Sequence, residues 1–131
     1  MENKELHLYE YSVIQYIPDI ERGEFVNIGL IMMCKRLKWV KFKTELNIAR
    51  ISSFFENTDI DTLRNQLTGF EKIVNRKVQD IPVLNDLEAE ERFRWLTAVR
   101  SASIQTTRPH CGLADDLEET FKRLFLKLVS M

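Results

Sequence analysis

A chain of 131 residues with 30% charged residues and a formal net charge of -1 fits one soluble domain, residues 1–131, and argues against a strongly nucleic-acid-binding or polyanionic protein. Two cysteines, Cys34 and Cys111, make no disulfide framework, and two histidines, His7 and His110, make no clustered zinc spacing; no metal and no cofactor is expected. The opening Met1-Glu2-Asn3-Lys4-Glu5 has no signal-peptide apolar region, and the apolar run Phe25 to Met33 falls far short of the roughly 20 residues that span a bilayer, so a reducing cytoplasm and no membrane segment are expected.

Leu8 to Ile17 reads as a strand, with Tyr9, Tyr11, Val13, Gln15 and Ile17 on one face and Ser12, Ile14 and Tyr16 on the other. Pro18 cannot donate to a ladder and ends it. Phe25 to Cys34 is apolar on both faces, the pattern of a central strand. Lys38 to Lys43 alternates Val40 and Phe42 with Trp39, Lys41 and Lys43, and the short Lys35-Arg36-Leu37 link suits a hairpin. Three consecutive strands suggest an antiparallel meander. Glu45 to Phe55 is ambiguous between a short helix and a strand.

From Ile60 the period changes to that of a helix, with Leu63, Leu67, Phe70, Ile73 and Val74 in register and Thr58 or Asp59 as the cap. Asn85 with Glu88 reads as a capping box before a helix carrying Phe93, Leu96 and Val99. Asp116 with Glu119 reads as another, before Leu117, Phe121, Leu124, Phe125 and Leu128. Ser103 to Arg108 is either a further strand or a loop. Strands followed by helices make an α+β domain: an antiparallel sheet of three or four strands with three or four helices, mostly on one face.

The chemistry-bearing residues gather in a few places. Pro18 to Glu24 is longer than a tight hairpin needs, and it carries Arg22, Gly23 and Glu24. It is either a bulged turn, with Arg22 pairing a nearby acid, or the mouth of a site. Asn27 and Gly29 lie two apart, which places them on one face of the second strand. They are either a buried asparagine bonded to a neighbouring loop beside a bulge, or the floor of a small polar pocket. Arg100, Ser101, Arg108 and His110 suit an anion site, while Arg100 at a helix end also suits a carbonyl cap. Lys38, Lys41 and Lys43 alternate with aromatic residues, as a weak nucleic-acid patch or as a solvated, aggregation-resistant edge strand.

The runs Tyr11-Ser12-Val13-Ile14-Gln15-Tyr16-Ile17-Pro18-Asp19 and Arg22-Gly23-Glu24-Phe25-Val26-Asn27-Ile28-Gly29 resemble the opening signature of a bacterial family called domain of unknown function 3037. The later Arg92-Phe93-Arg94-Trp95-Leu96 and Arg100-Ser101, then Asp116 and the Leu117 to Phe125 pattern, resemble it too. The resemblance implies no established activity. It does imply a partner, because such proteins are similar to small cytoplasmic ones whose genes often sit beside one for a HipA-like kinase. The leading expectation is therefore a non-enzymatic binding or accessory module, with the first loop and Arg100 to His110 as contact surface. The alternative is an enzyme or ligand-binding protein for a phosphate-bearing or small anionic ligand. There Arg22, Arg100 and Arg108 would hold the anion, and Glu24 or His110 would move a proton.

Overall fold

The computed structural model describes residues 5–98 and 103–130. In chain order they form β1 (His7–Tyr16), β2 (Val26–Cys34), β3 (Trp39–Thr44), α1 (Ile48–Phe54), α2 (Ile60–Val74), a 3₁₀ turn (Pro82–Asp86), α3 (Ala89–Leu96), β4 (Ile104–Thr106), β5 (His110–Ala114) and α4 (Leu117–Leu128). One antiparallel sheet runs β3-β2-β1-β4, and β5 pairs with β1 beside β4. The sheet is thus four lanes wide, with the fourth lane split into two short strands. The expected meander is its first three lanes.

The split has a local cause. Pro109 has no N–H to give the ladder. Thr107 carries the pairing up to the break: its N–H donates to the Val13 carbonyl at 2.9 Å, and its hydroxyl accepts from the Val13 N–H at 2.9 Å. The Ser103 to Arg108 segment is a strand over Ile104–Thr106, and β5 lies beyond the reach of that expectation.

A bulge governs which side chains meet. Ile14 faces Gly29 but Gln15 faces Asn27, so Ile28 is the extra residue of β2. On one face Tyr9, Val13, Leu30, Met32 and Cys34 pack against Leu117, Phe121, Leu124 and Phe125 of α4. On the other, Ile14, Tyr16, Val26 and Ile28 meet Ile51 of α1 and Leu63 and Leu67 of α2. Ile31 and Met33 meet Val74, Phe93 and Leu96 on that same side. Three helices share one face and α4 takes the other, which buries β2 from both sides.

Caps fix the helix starts. Asp59 accepts from Thr62 N–H at 3.0 Å and Asp116 from Glu119 N–H at 3.0 Å, while Asn47 does the same for α1 through Arg50. The Asn85–Glu88 capping box does not form. Pro82 opens a 3₁₀ turn that absorbs Asn85, whose carboxamide instead pairs with both backbone groups of Val78 at 2.9 Å. Glu88 is the N-cap of α3, and its N–H donates to the Glu91 carboxylate at 3.1 Å.

Candidate functional site: the cleft between the first bend and helix α1

The connection between β1 and β2 closes on Asp19. Its carbonyl accepts from the N–H groups of Arg22 and Gly23, each at 3.2 Å, and its carboxylate accepts from Glu21 N–H at 3.1 Å. Gly23 sits at φ +70°, a backbone angle that a Cβ disfavours. The guanidinium of Arg22 lies 2.5 Å from the Glu24 carboxylate, and both side chains are largely exposed.

Opposite the bend stands the end of α1. Phe55 caps that helix and meets the Tyr16 ring edge-on, at 5.8 Å between centroids. Pro18, Asp19, Arg22 and Glu24 on one side and Phe54, Phe55 and Glu56 on the other enclose a cleft of about 520 Å³. Phe54 is 61% exposed, and Ile20 and Phe25 of the bend are about half exposed (49% and 52%). Among the described residues the charged lining holds three carboxylates and one guanidinium, and that guanidinium is already engaged by Glu24.

The other candidate residues lie elsewhere. Asn27 and Gly29 do not share a face, because the bulge at Ile28 reverses the alternation between them. Asn27 points to α4: its Nδ2 donates to the Leu128 carbonyl at 3.0 Å and its Oδ1 accepts from Gln15 Nε2 at 3.1 Å. Gly29 points to the opposite face. A Cβ there would meet Thr44 Cγ2 at 3.0 Å and Ile14 Cδ1 at 3.1 Å, so neighbouring strands already fill the space. The hollow beside Asn27 measures about 10 Å³, which is marginal for one water and too small for a ligand.

His110 stacks on Tyr11 at 5.2 Å between ring centroids, and Arg108 is exposed in the break between β4 and β5. Tyr11 pairs with His110 and lies six residues before Ile17, so His110 sits about 20 Å from the bend along β1. Arg100 and Ser101 fall outside the described residues, as does Val99 of the expected third helix.

The lysine stripe is docked on α4. Lys41 reaches Glu118 at 2.5 Å and lies over the Phe121 ring, and Lys43 lies 4.6 Å from the centre of the Phe125 ring. Trp39 Nε1 donates to the same Glu118 at 3.2 Å. The Lys41 hydrogen bond, helped by that of Trp39, holds the Glu118 carboxyl below its ordinary range despite some desolvation. Lys38 remains exposed in the hairpin, at φ +51°.

The later motif is spent on packing. Phe93 and Leu96 are core residues, and the buried Arg92 guanidinium donates to the Val74 carbonyl at the end of α2. Burial lowers the Arg92 pKa, Arg76 adds to the effect, and Glu88 opposes it. Arg94 grips Glu10 of β1 with both terminal nitrogens. The wall residues Phe54, Phe55 and Glu56 escaped the sequence reading as site residues. The available signal was the adjacency of two phenylalanines, one ending a seven-residue helix and the next capping it.

Among the described residues no helix is long and apolar enough to cross a membrane. Neither a curated protein nor a solved structure matches the chain. A family model does match, described as protein of unknown function (DUF3037), over residues 11–129. That span includes the sheet but for the first four residues of β1, helices α1 to α4 and both walls of the cleft, and the chain belongs to the DUF3037 family.

Proposed function

We propose that this protein is a non-enzymatic binding module of the bacterial cytoplasm that docks a partner protein at the cleft between the first bend and α1. One observation carries the reading: Phe54, 61% exposed, and Phe55 form an aromatic wall that faces Pro18, Asp19, Arg22 and Glu24 across a concavity, and the bend that supplies the other wall also carries the half-exposed Ile20 and Phe25. Clustered exposed apolar side chains with a polar border are the usual mark of an interaction surface. The partner is the HipA-like kinase that the family resemblance implies. The anionic-ligand reading draws less support. Arg22 and Glu24 are bound to each other, Asn27 is committed to α4, and His110 is about 20 Å away.

The test is calorimetric titration of the purified kinase encoded beside this protein, at about 10 μM, a range in which docking interfaces register. Wild-type protein binds, and Phe54→Ser weakens binding about tenfold with its melting temperature unchanged. Absence of association for the wild type at that concentration removes the kinase as partner, and binding that Phe54→Ser leaves unchanged removes the cleft as the docking surface.

A further inference from the structure

We infer that the cleft receives a basic side chain, an arginine or lysine presented on an extended segment of the partner. The inference rests on the binding-module reading and names its chemistry. Concavity and an aromatic wall make the cleft a site; its charge selects the occupant. A space of about 520 Å³ lies at the small end of ligand clefts and suits one long side chain with its flanks. Pro18, Phe54 and Phe55 offer flat apolar surfaces, on which a guanidinium plane or a lysine stem stacks well.

Among the described residues, Asp19, Glu24 and Glu56 line the space against one cation, Arg22. Among the described residues no ion pair engages Asp19 or Glu56. Among the described residues, an entering anion would face three carboxylates and find the lining cation, Arg22, already taken by Glu24. An entering cation meets an acceptor on each wall. A bare metal ion is a poorer occupant, because no three His, Cys, Asp or Glu side chains converge among the described residues. A free amine would leave most of Phe54 uncovered, whereas a peptide covers it with the residues that flank its cation.

The experiment is an amide-resolved NMR titration of the full chain with three probes: the capped peptides acetyl-LARAL-amide and acetyl-LAEAL-amide, and inorganic phosphate. The arginine peptide shifts the amides of residues 19–25 and 54–56 and saturates. The glutamate peptide binds at least about tenfold more weakly, and added salt weakens the arginine peptide. Phosphate leaves those amides in place. The double variant Glu24→Gln, Glu56→Gln loses about tenfold in affinity for the arginine peptide, and its amide dispersion confirms folding in the same spectra. The inference is overturned if the glutamate peptide or phosphate shifts these amides as strongly as the arginine peptide, or if the arginine peptide shifts none of them. Its failure is separable from that of the binding-module reading. A kinase that binds in a Phe54-dependent way without charge discrimination removes only the basic side chain. An arginine peptide that saturates while the kinase stays unbound upholds the cleft chemistry and removes only that partner.

Discussion

Replacing Asn27 decides whether it belongs to a site or to the scaffold. Its carboxamide joins Gln15 of β1 to the Leu128 carbonyl, one of the carbonyls that α4 leaves unpaired at its end. Asn27→Ala removes both hydrogen bonds. Each is worth about 0.5–1.5 kcal/mol net, and because the position is only half-buried, water recovers part of the loss. The expected cost is about 1.5 kcal/mol, or a melting point roughly 6 °C lower for a domain of this size. Asn27→Asp is more telling. It keeps the acceptor for Gln15 but sets a second oxygen against the Leu128 carbonyl, at the negative end of the α4 dipole. The cost rises to about 2–3 kcal/mol at pH 7. Those neighbours disfavour the charged carboxylate, so its folded-state pKa lies above the unfolded value of about 3.9. The added penalty is therefore present above the raised pKa and disappears as pH falls below about 3.9. Urea unfolding of both variants between pH 7 and pH 4 measures this. The scaffold role is refuted if Asn27→Ala leaves stability within about 0.3 kcal/mol while abolishing partner binding.

Other outcomes follow from packing and charge. The Tyr9 ring lies directly over Gly112, so Gly112→Ala displaces a buried aromatic and costs about 1–3 kcal/mol, read from the urea midpoint. Phe121 is 2% exposed in the α4 core, and Phe121→Ala costs about 3–5 kcal/mol by the same measurement. Glu118 is lowered by its Lys41 bond, so its contribution is full above the ordinary glutamate pKa and is lost as pH falls through the depressed value. The pair is well exposed, so Glu118→Gln removes at most about 1 kcal/mol at pH 7, and the difference from wild type closes on acid titration.

Periodicity carried most of the fold. The alternation in Lys38 to Lys43 places Val40 and Phe42 on the α2–α3 side and Trp39 on the α4 side, where the structure has them. The spacing from Ile60 to Val74 is the buried stripe of α2. The bulge was not legible, because Ile28 is a good strand residue and nothing beside it marks an extra position. Once Ile28 is extra, every inference from spacing across it changes face, and Asn27 parts from Gly29. The Lys41–Glu118 pair joins residues 77 positions apart, and only the sheet order brings them together. The cleft hid for a related reason. Phe55 reads as core and is core-facing, and its neighbour Phe54 then has to point outward.

Energetics also explain why the two halves of the proposed site belong together. Full burial of a large apolar side chain contributes about 1.5–3 kcal/mol. Ile20, Phe25 and Phe54 each keep about half or more of their surface in water, so roughly 3–4 kcal/mol of burial is withheld from folding. That is a substantial sum against a net stability of about 5–15 kcal/mol. Covering those side chains with a partner would recover it, yet association itself costs about 4–15 kcal/mol in lost freedom. Apolar contact at the bend therefore falls short of a stable complex. A charged side chain held between Asp19, Glu24 and Glu56, with its stem against Phe54 and Phe55, adds attraction at close range and steers the approach from a distance. On this reasoning, raising the salt concentration slows association more than it speeds dissociation, whereas Phe54→Ala acts mainly on dissociation. Stopped-flow measurement of both rates separates the two contributions, and an association rate indifferent to salt would leave the carboxylates without a role.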